Sequence, residues 1–529
     1  MRTFLRDILL TVGAIAATGA GPLLSRALAA PVAASDISPS SWPIVTRMAD
    51  LGSHQFSAMR RGTFASRDVP YAAELSEMLV HDGAGKPAAS MFLTSFVAKP
   101  DDSARPVVFL FNGGPGGASN TLMFGAFGPQ RLAKFSMAAI ADPATPIVAN
   151  DDTLLDIADL VFIDPPETGY GRPLAGANPK TFRGNDGDSY AVVQAMLRWL
   201  HDHHRETSPI YVVGESYGSI RAVLLARDLR AAAPRVELAG MILISQALWY
   251  NGPDSNGIAR LPDPVTAVNS LPDIAALAWY HGLIDNTGQT LEQAVRAARA
   301  YALGDYASAM VAGNRLGEVE RSRVARRLEG LTGIPTLTWL AGDLRLTNIR
   351  RQLLAGRNLA LGQFDGRETE PLQGVPDDGD RDGFAMMLGL THAAEETGRT
   401  IFHTEGLPDY RSMASRHPLE FEASWAFIAP PAHGPELILR EQMSANPRLR
   451  LMVAQGVFDT TATMGETDYQ FSQIGAPRDR TWIAYYAGGH MLYSDVGRLA
   501  FLKDVRDFVG GKMSPTHAFP QSPVGTPHP

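Results

Sequence analysis

The 529-residue chain contains no cysteine. That excludes disulfide staples, thiol nucleophiles and cysteine-bearing metal sites together. A chain of this length can instead hold itself by core packing alone. Positive charge is not in excess, with 47 Lys and Arg against 55 Asp and Glu. The formal net charge is −8 and no basic run interrupts it, which argues against nucleic acid as a partner. There is no internal repeat. The first apolar stretch, Ile8 to Ala17, is too short to span a bilayer. The length of 529 residues is enough for one large domain with insertions or for two or three smaller ones, and an apolar content of 45% allows a sizeable core.

Residues 1–29 read as a secretory signal peptide. Arg2 and Arg6 supply the positive start, and Ala27-Leu28-Ala29 is a small-x-small cleavage site followed by Ala30 and Pro31. The stretch has no adjacent arginine pair, which favours the general export route over the twin-arginine one. The competing reading is an uncleaved N-terminal anchor. Export places the protein in the periplasm or outside the cell, with no stable membrane insertion once the signal is removed.

Strand and helix patterns alternate along residues 30–250. Glu74 to His81 and Ala88 to Ala98 flank the turn signal Asp82-Gly83 and predict an antiparallel pair. Runs at 107–111, 160–164 and 241–244, apolar but for the terminal Asp164, predict buried strands, and 188–204 shows helical spacing. Buried strands that alternate with helices imply a mostly parallel sheet flanked by helices. Between 251 and 415 the buried strands disappear. Helical segments at 264–282, 289–312 and 316–331, with a loop-like stretch at 365–383, predict a largely helical lid insertion. The sheet then resumes within 416–512, with strands at 451–454 and 482–486. Residues 513–529 read as a disordered tail.

The chain is organised around 209–226. Pro209-Ile210-Tyr211-Val212-Val213 is a short uncharged run that suits a buried strand. Ile220, Val223, Leu224 and Leu225 follow at helical spacing, and Gly214-Glu215-Ser216-Tyr217-Gly218 lies between. Gly-x-Ser-x-Gly between strand and helix is the nucleophile-elbow pattern, in which a sharp turn exposes the serine hydroxyl. The other reading is a glycine-rich βα loop. A serine hydroxyl needs a base, and the base needs an orienting carboxylate. In the chain order of an α/β-hydrolase these follow the serine as acid, then histidine. Asp459 lies just past the 451–454 strand and His490 just past the 482–486 strand. Oxyanion stabilisation needs two backbone N–H donors. Tyr217, next after the serine, supplies one. Asn112-Gly113-Gly114, after the 107–111 strand, supplies the other, from Gly114.

These residues resemble the serine carboxypeptidases, the carboxypeptidase Y-like branch of the α/β-hydrolases. The likeness rests on Asn-Gly-Gly-Pro-Gly at 112–116, Gly-Glu-Ser-Tyr-Gly at 214–218, Gly-Gly-His-Met at 488–491 and the segment 163–171. Leu277-Ala278-Trp279-Tyr280-His281 is similar to cysteine-poor bacterial members. The resemblance runs from about 66 to 510. It implies an α/β-hydrolase fold, with Ser216 as nucleophile, His490 as general base, Asp459 as its partner, and Gly114 and Tyr217 as oxyanion donors. It further implies that Asn112, with Gly113, Glu215 and Met491 beside it, receives the free C-terminal carboxylate of a peptide. Glu215 would have to be protonated to do so. The sequence departs from the family at three positions. Ala126 stands where the best-known members carry a second Glu that shares this proton. Gly117 replaces a Cys and Pro165 a Gln.

Other signals carry less. Asp378-x-Asp380-x-Asp382-Gly383 begins like a calcium loop, but its twelfth position is Gly389 rather than Glu. His201, His203 and His204 with Asp202 read as surface residues at a helix end. The arginines at 321, 323, 326 and 327 read as a solvated helix face. The sequence thus predicts an exported serine-type carboxypeptidase acting on peptides, with no metal or organic cofactor. An esterase or acyl hydrolase using the same triad is the first alternative. A non-catalytic binding protein on a hydrolase scaffold is the second.

Overall fold

The computed structural model describes residues 42–249, 263–375, 381–427 and 434–512. The expected signal peptide, the start of the insertion at 251–262, Asp378, Asp380 and the tail at 513–529 lie outside the described residues. Nine strands form one sheet: β1 (Asp50–Phe64), β2 (Arg67–His81), β3 (Pro87–Ala98), β4 (Val107–Phe111), β5 (Asp159–Asp164), β6 (Ile210–Glu215), β7 (Leu238–Ile244), β8 (Arg450–Gly456) and β9 (Thr481–Tyr486). Their spatial order is β1-β2-β3-β5-β4-β6-β7-β8-β9. The pairs among β1, β2, β3 and β5 are antiparallel, and every pair from β5 to β9 is parallel. An antiparallel start, a parallel remainder and a β5-β4-β6 crossing make this the expected α/β-hydrolase fold.

The parallel strands carry charged residues only at their ends because both of their faces are covered. Alternate residues feed two cores. Phe109, Val212, Leu243 and Val453 point into one, and Leu110, Val213, Ile244 and Ala454 into the other. Helices α1 (Asn185–Asp202) and α2 (Tyr217–Ala232) contribute to the first core. Between Ile244 and Arg450 the described chain is mainly helical. It includes α3 (Pro264–Tyr280), α4 (Leu291–Tyr301) and α5 (Glu318–Thr332). Helices α6 (Met464–Ile474) and α7 (Asp495–Val509) then follow β8 and β9.

Three details differ from the sequence reading. Strand β1 carries no apolar run and was not anticipated. It lies at the sheet edge, and its residues alternate between partly covered and exposed along most of its length. The expected helix over 289–312 is interrupted. Gly304 adopts φ −110°, ψ −106° between α4 and a second helical segment, Ala307–Ala312. The stretch expected as loop at 365–383 contributes a short strand, Thr369–Pro371, paired antiparallel with Leu359–Leu361.

Candidate active site

Ser216 sits between β6 and α2 with φ 57° and ψ −127°. A non-glycine residue in this region is strained, and it persists only where its surroundings hold it. Here the holding is direct. The Ser216 N–H donates to the Ile244 carbonyl at 2.9 Å, which extends the pairing with β7. The Ser219 hydroxyl donates to the Ser216 carbonyl at 2.6 Å and accepts from the Ala247 N–H at 2.9 Å. The flanking glycines are required by distance. A Cβ on Gly214 would lie 2.1 Å from the Gly218 carbonyl oxygen.

The loop after β8 presents Asp459, and the loop after β9 presents His490. Both are buried. His490 Nδ1 lies 2.8 Å from Asp459 Oδ2. Asp459 Oδ1 accepts the N–H groups of Thr461 and Ala462 at 2.8 and 2.9 Å, and Gln455 Nε2 reaches Oδ2 at 3.2 Å. With Nδ1–H assigned as the donor to the carboxylate, Nε2 is left as the acceptor. Burial pushes the ring pKa down, but the Asp459 carboxylate and, more weakly, Glu215 outweigh it, so His490 is held above its usual value. The histidine loop is also gripped by the insertion, since the His490 N–H donates to the Phe364 carbonyl at 2.6 Å.

Ser216 and His490 line one cavity of about 830 Å³, together with Asn112, Gly113, Gly114, Glu215, Tyr217 and Met491. Asp459 stands behind His490. Among the described residues no hydrogen bond joins the Ser216 hydroxyl to the His490 ring. In ligand-free enzymes this bond is commonly long and closes on substrate. Gly113 packs so tightly on the elbow that a Cβ there would lie 2.7 Å from Ser216 Cβ and from the Tyr217 nitrogen. Gly114 follows at φ +112°. Neither the Gly114 nor the Tyr217 N–H is taken by a loop carbonyl.

Asn112 and Glu215 are side by side. Asn112 Nδ2 donates to Glu215 Oε1 at 3.0 Å, and the Leu122 N–H fixes Asn112 Oδ1 at 3.0 Å. Burial pushes the Glu215 carboxyl up to about 7, against the opposing effect of His490 and the two hydrogen-bond donors. The second donor was not anticipated from the sequence. It is Tyr493, whose hydroxyl lies 2.6 Å from Glu215 Oε2. Tyr493 is fully buried, and Gly125 makes room for it, since a Cβ there would lie 2.5 Å from the Tyr493 ring. Ala126, next along, is buried in the same apolar cluster. Nothing in the residues around Tyr493 marks it in the sequence.

Arg221 was also missed, although a signal existed: it is the one cation within the apolar run Ile220 to Ala226. It is fully buried and paired with buried Asp188 of α1, with Nε to Oδ2 at 2.6 Å and Nη2 to Oδ1 at 3.2 Å. Its Nη1 donates to the Asn112 carbonyl at 2.6 Å, so the elbow helix holds the glycine loop in place. His203 is not the surface residue the sequence suggested. It stacks on Trp199 with ring centroids 4.1 Å apart and pairs with Glu74 at 2.8 Å. The arginine face of α5 is exposed in part but paired, Arg321 with Asp343 and Arg323 with Glu320.

The profile of the serine carboxypeptidase family matches residues 82–309, which span β3 to β7 with the glycine loop and the elbow. The chain is 24% identical over 158 residues to carboxypeptidase Y homolog A of Chaetomium globosum, a match covering 30% of this chain and 26% of that protein. It thus spans about a quarter of that relative's length. Among solved structures it is similar to Kex1(Δ)p, a prohormone-processing carboxypeptidase from Saccharomyces cerevisiae, at 14% identity and TM-score 0.47, over 83% of this chain and 91% of that one. It is also similar to proline iminopeptidase of Mycobacterium smegmatis, at 14% identity and TM-score 0.32, over 86% and 98%. Over residues 82–309 the chain is thus similar to the serine carboxypeptidases, and the sheet that this stretch helps to build has the α/β-hydrolase fold.

Proposed function

We propose that this chain is an exported serine carboxypeptidase that removes C-terminal residues from peptides. Ser216 Oγ attacks the scissile carbonyl and passes its proton to His490 Nε2. Asp459 holds the ring in that tautomer and stabilises the imidazolium that forms. The Gly114 and Tyr217 N–H groups receive the oxyanion. His490 then gives the proton to the leaving amine, and a water attacks the acyl-enzyme by the same route. The observation that carries the peptidase reading is Glu215. A buried carboxyl one residue before the nucleophile, with its pKa near 7 and Asn112 beside it, can stay neutral and donate to a substrate carboxylate instead of repelling it. The described residues of the insertion, 263–375 and 381–415, act as a lid over the sheet. Thr266, Phe364, Met386 and Met413 in the cavity wall support that division. Residues 1–29 supply export to the periplasm or beyond.

The reading is tested with Nα-blocked dipeptides. Those with a free C-terminus are expected to be cleaved about 10- to 100-fold faster than their C-terminal amides, the worth of one charge-assisted hydrogen bond or a little more. A second reading, ester or acyl hydrolysis by the same triad, is favoured by Ala126 in place of the family's second Glu. Equal rates on the two substrates would select it.

The pH dependence follows from the two shifted groups. Glu215 is the donor below about pH 7 and a carboxylate above it, so kcat/KM on free-C-terminus peptides is expected to fall as pH rises through 7. His490 sets the acid limb, because its protonation below its raised pKa removes the base. In E215Q the amide donates at every pH. The alkaline fall is expected to disappear while the acid limb remains, and an alkaline limb identical to the wild type would remove Glu215 from this role.

A further inference from the structure

Two carboxylates in the cavity wall, Glu422 and Glu466, have no part in the chemistry above, and Glu466 is the one on the β8 flank. Glu466 lies in the first turn of α6, and Thr463 caps that helix by accepting the Glu466 N–H at 3.3 Å. In a reciprocal capping box the acidic side chain would return a bond to the Thr463 N–H. Gln293 does this for Thr290 at the start of α4, at 2.8 Å. Glu466 does not. Its Oε1 accepts from Gln470 Nε2 at 3.1 Å instead. Gln470 Oε1 in turn accepts from Gln246 Nε2 at 2.7 Å, and Gln246 Oε1 accepts from the Leu248 N–H at 2.9 Å. This relay aims one carboxylate oxygen and leaves the other to the cavity, which Glu466, Gln470 and Gln246 all line.

Among the described residues no Lys, Arg or His forms an ion pair with Glu466. Burial, and the negative charge of Asp459, hold its carboxyl above the ordinary value against the Gln470 hydrogen bond. The side chain is nonetheless exposed at the cavity wall, so its charge lies within reach of a cationic ligand without needing a counter-charge from the protein. Its position says which part of a ligand. Asn112 and Glu215 stand at the ends of β4 and β6, whereas Gln246 and Glu466 follow β7 and β8. The sheet order β4-β6-β7-β8 places the two groups on opposite flanks of Ser216. A peptide with its C-terminus at Asn112 and Glu215 therefore extends its acyl side toward Glu466. Ala247, Trp249 and Thr266 line the cavity there as well, and they suit an aliphatic stem.

We propose that Glu466 selects a cationic group on the acyl side of the scissile bond, either a lysine or arginine side chain or the α-ammonium of a short unblocked peptide. The proposal rests on the carboxypeptidase reading for the direction in which substrate lies. The test measures kcat/KM at neutral pH on three dipeptides: Nα-blocked with lysine on the acyl side, Nα-blocked with norleucine, and the norleucine peptide unblocked. Wild type is expected to favour the lysine substrate, or the unblocked one, over blocked norleucine by about 3- to 10-fold, and E466Q to erase that ratio. Which ratio collapses identifies the cation as side chain or α-ammonium. Ratios that are the same in wild type and E466Q overturn the proposal. E466K, expected to turn the preference toward an acyl-side glutamate, provides a second variant, and a melting curve on each confirms the fold. Nitrophenyl esters of blocked lysine and norleucine separate the two readings. Cleavage of the esters but not of the peptides rejects the carboxypeptidase reading, and the lysine-to-norleucine ratio on the esters still decides on Glu466. Turnover of neither class overturns both.

Discussion

Replacing Ser216 with alanine is expected to lower kcat by about 10⁶-fold and to abolish labelling by a fluorophosphonate. The size follows from how a triad works. Its members act as one unit, so loss of the nucleophile removes the covalent route entirely and leaves only binding and oxyanion stabilisation. The substitution is small and the site is held from outside the side chain. The Ser216 backbone keeps its bonds to Ile244 and Ser219, and the His490–Asp459 pair does not depend on the hydroxyl. A melting temperature close to wild type is therefore expected beside the lost activity. Labelling that persists in Ser216→Ala would place the nucleophile elsewhere.

The second large effect concerns stability. Arg221→Met is expected to destabilise the fold by about 3–5 kcal/mol, because it leaves Asp188 as a buried carboxyl without its cation. Asp188 is fully buried, which raises its pKa against the pull of Arg221, so its ionised form depends on that partner. The arginine also lies over the Phe111 and Tyr217 rings, at 5.4 and 5.3 Å to the ring centroids, and it holds the Asn112 carbonyl. Loss of activity should therefore exceed what the folded fraction accounts for, since the glycine loop loses its anchor. Urea denaturation measures the first effect and kcat/KM on folded protein the second. The double variant Arg221→Met, Asp188→Leu is expected to recover much of the stability, because a matched apolar pair removes the orphaned charge. A single variant that costs under about 1 kcal/mol would mean that Asp188 finds other partners.

The elements most legible in the sequence were those with an uncharged, strand-length run closed by a glycine turn. The expected strands at 107–111 and 482–486 are matched by Val107–Phe111 and Thr481–Tyr486. A parallel strand buried on both faces must be apolar throughout, so its sequence advertises it. Strand β1 gave no such sign. An edge strand half open to solvent needs no apolar run, and Arg60 and Arg61 lie within it. The kink at Gly304 was likewise hidden, because helical spacing continues on either side of it.

Local pattern also marked Ser216, Asp459 and His490, since each lies at the end of a strand whose signal was strong. What those positions mean to one another depended on tertiary contact. Tyr493 reaches Glu215 across 278 residues, and Arg221 reaches Asp188 across 33. No periodicity records such pairs, because a buried hydrogen bond is satisfied by whichever residue the packing delivers. The sequence by itself determined the strand-to-helix turn and the positions of the three candidate side chains at strand ends, which are properties of neighbouring residues. Only the folded chain decided that a tyrosine stands on Glu215, that an arginine fixes the glycine loop, and that a carboxylate on α6 faces the cavity uncompensated. Those outcomes depend on which distant segments the sheet order brings within a few ångströms.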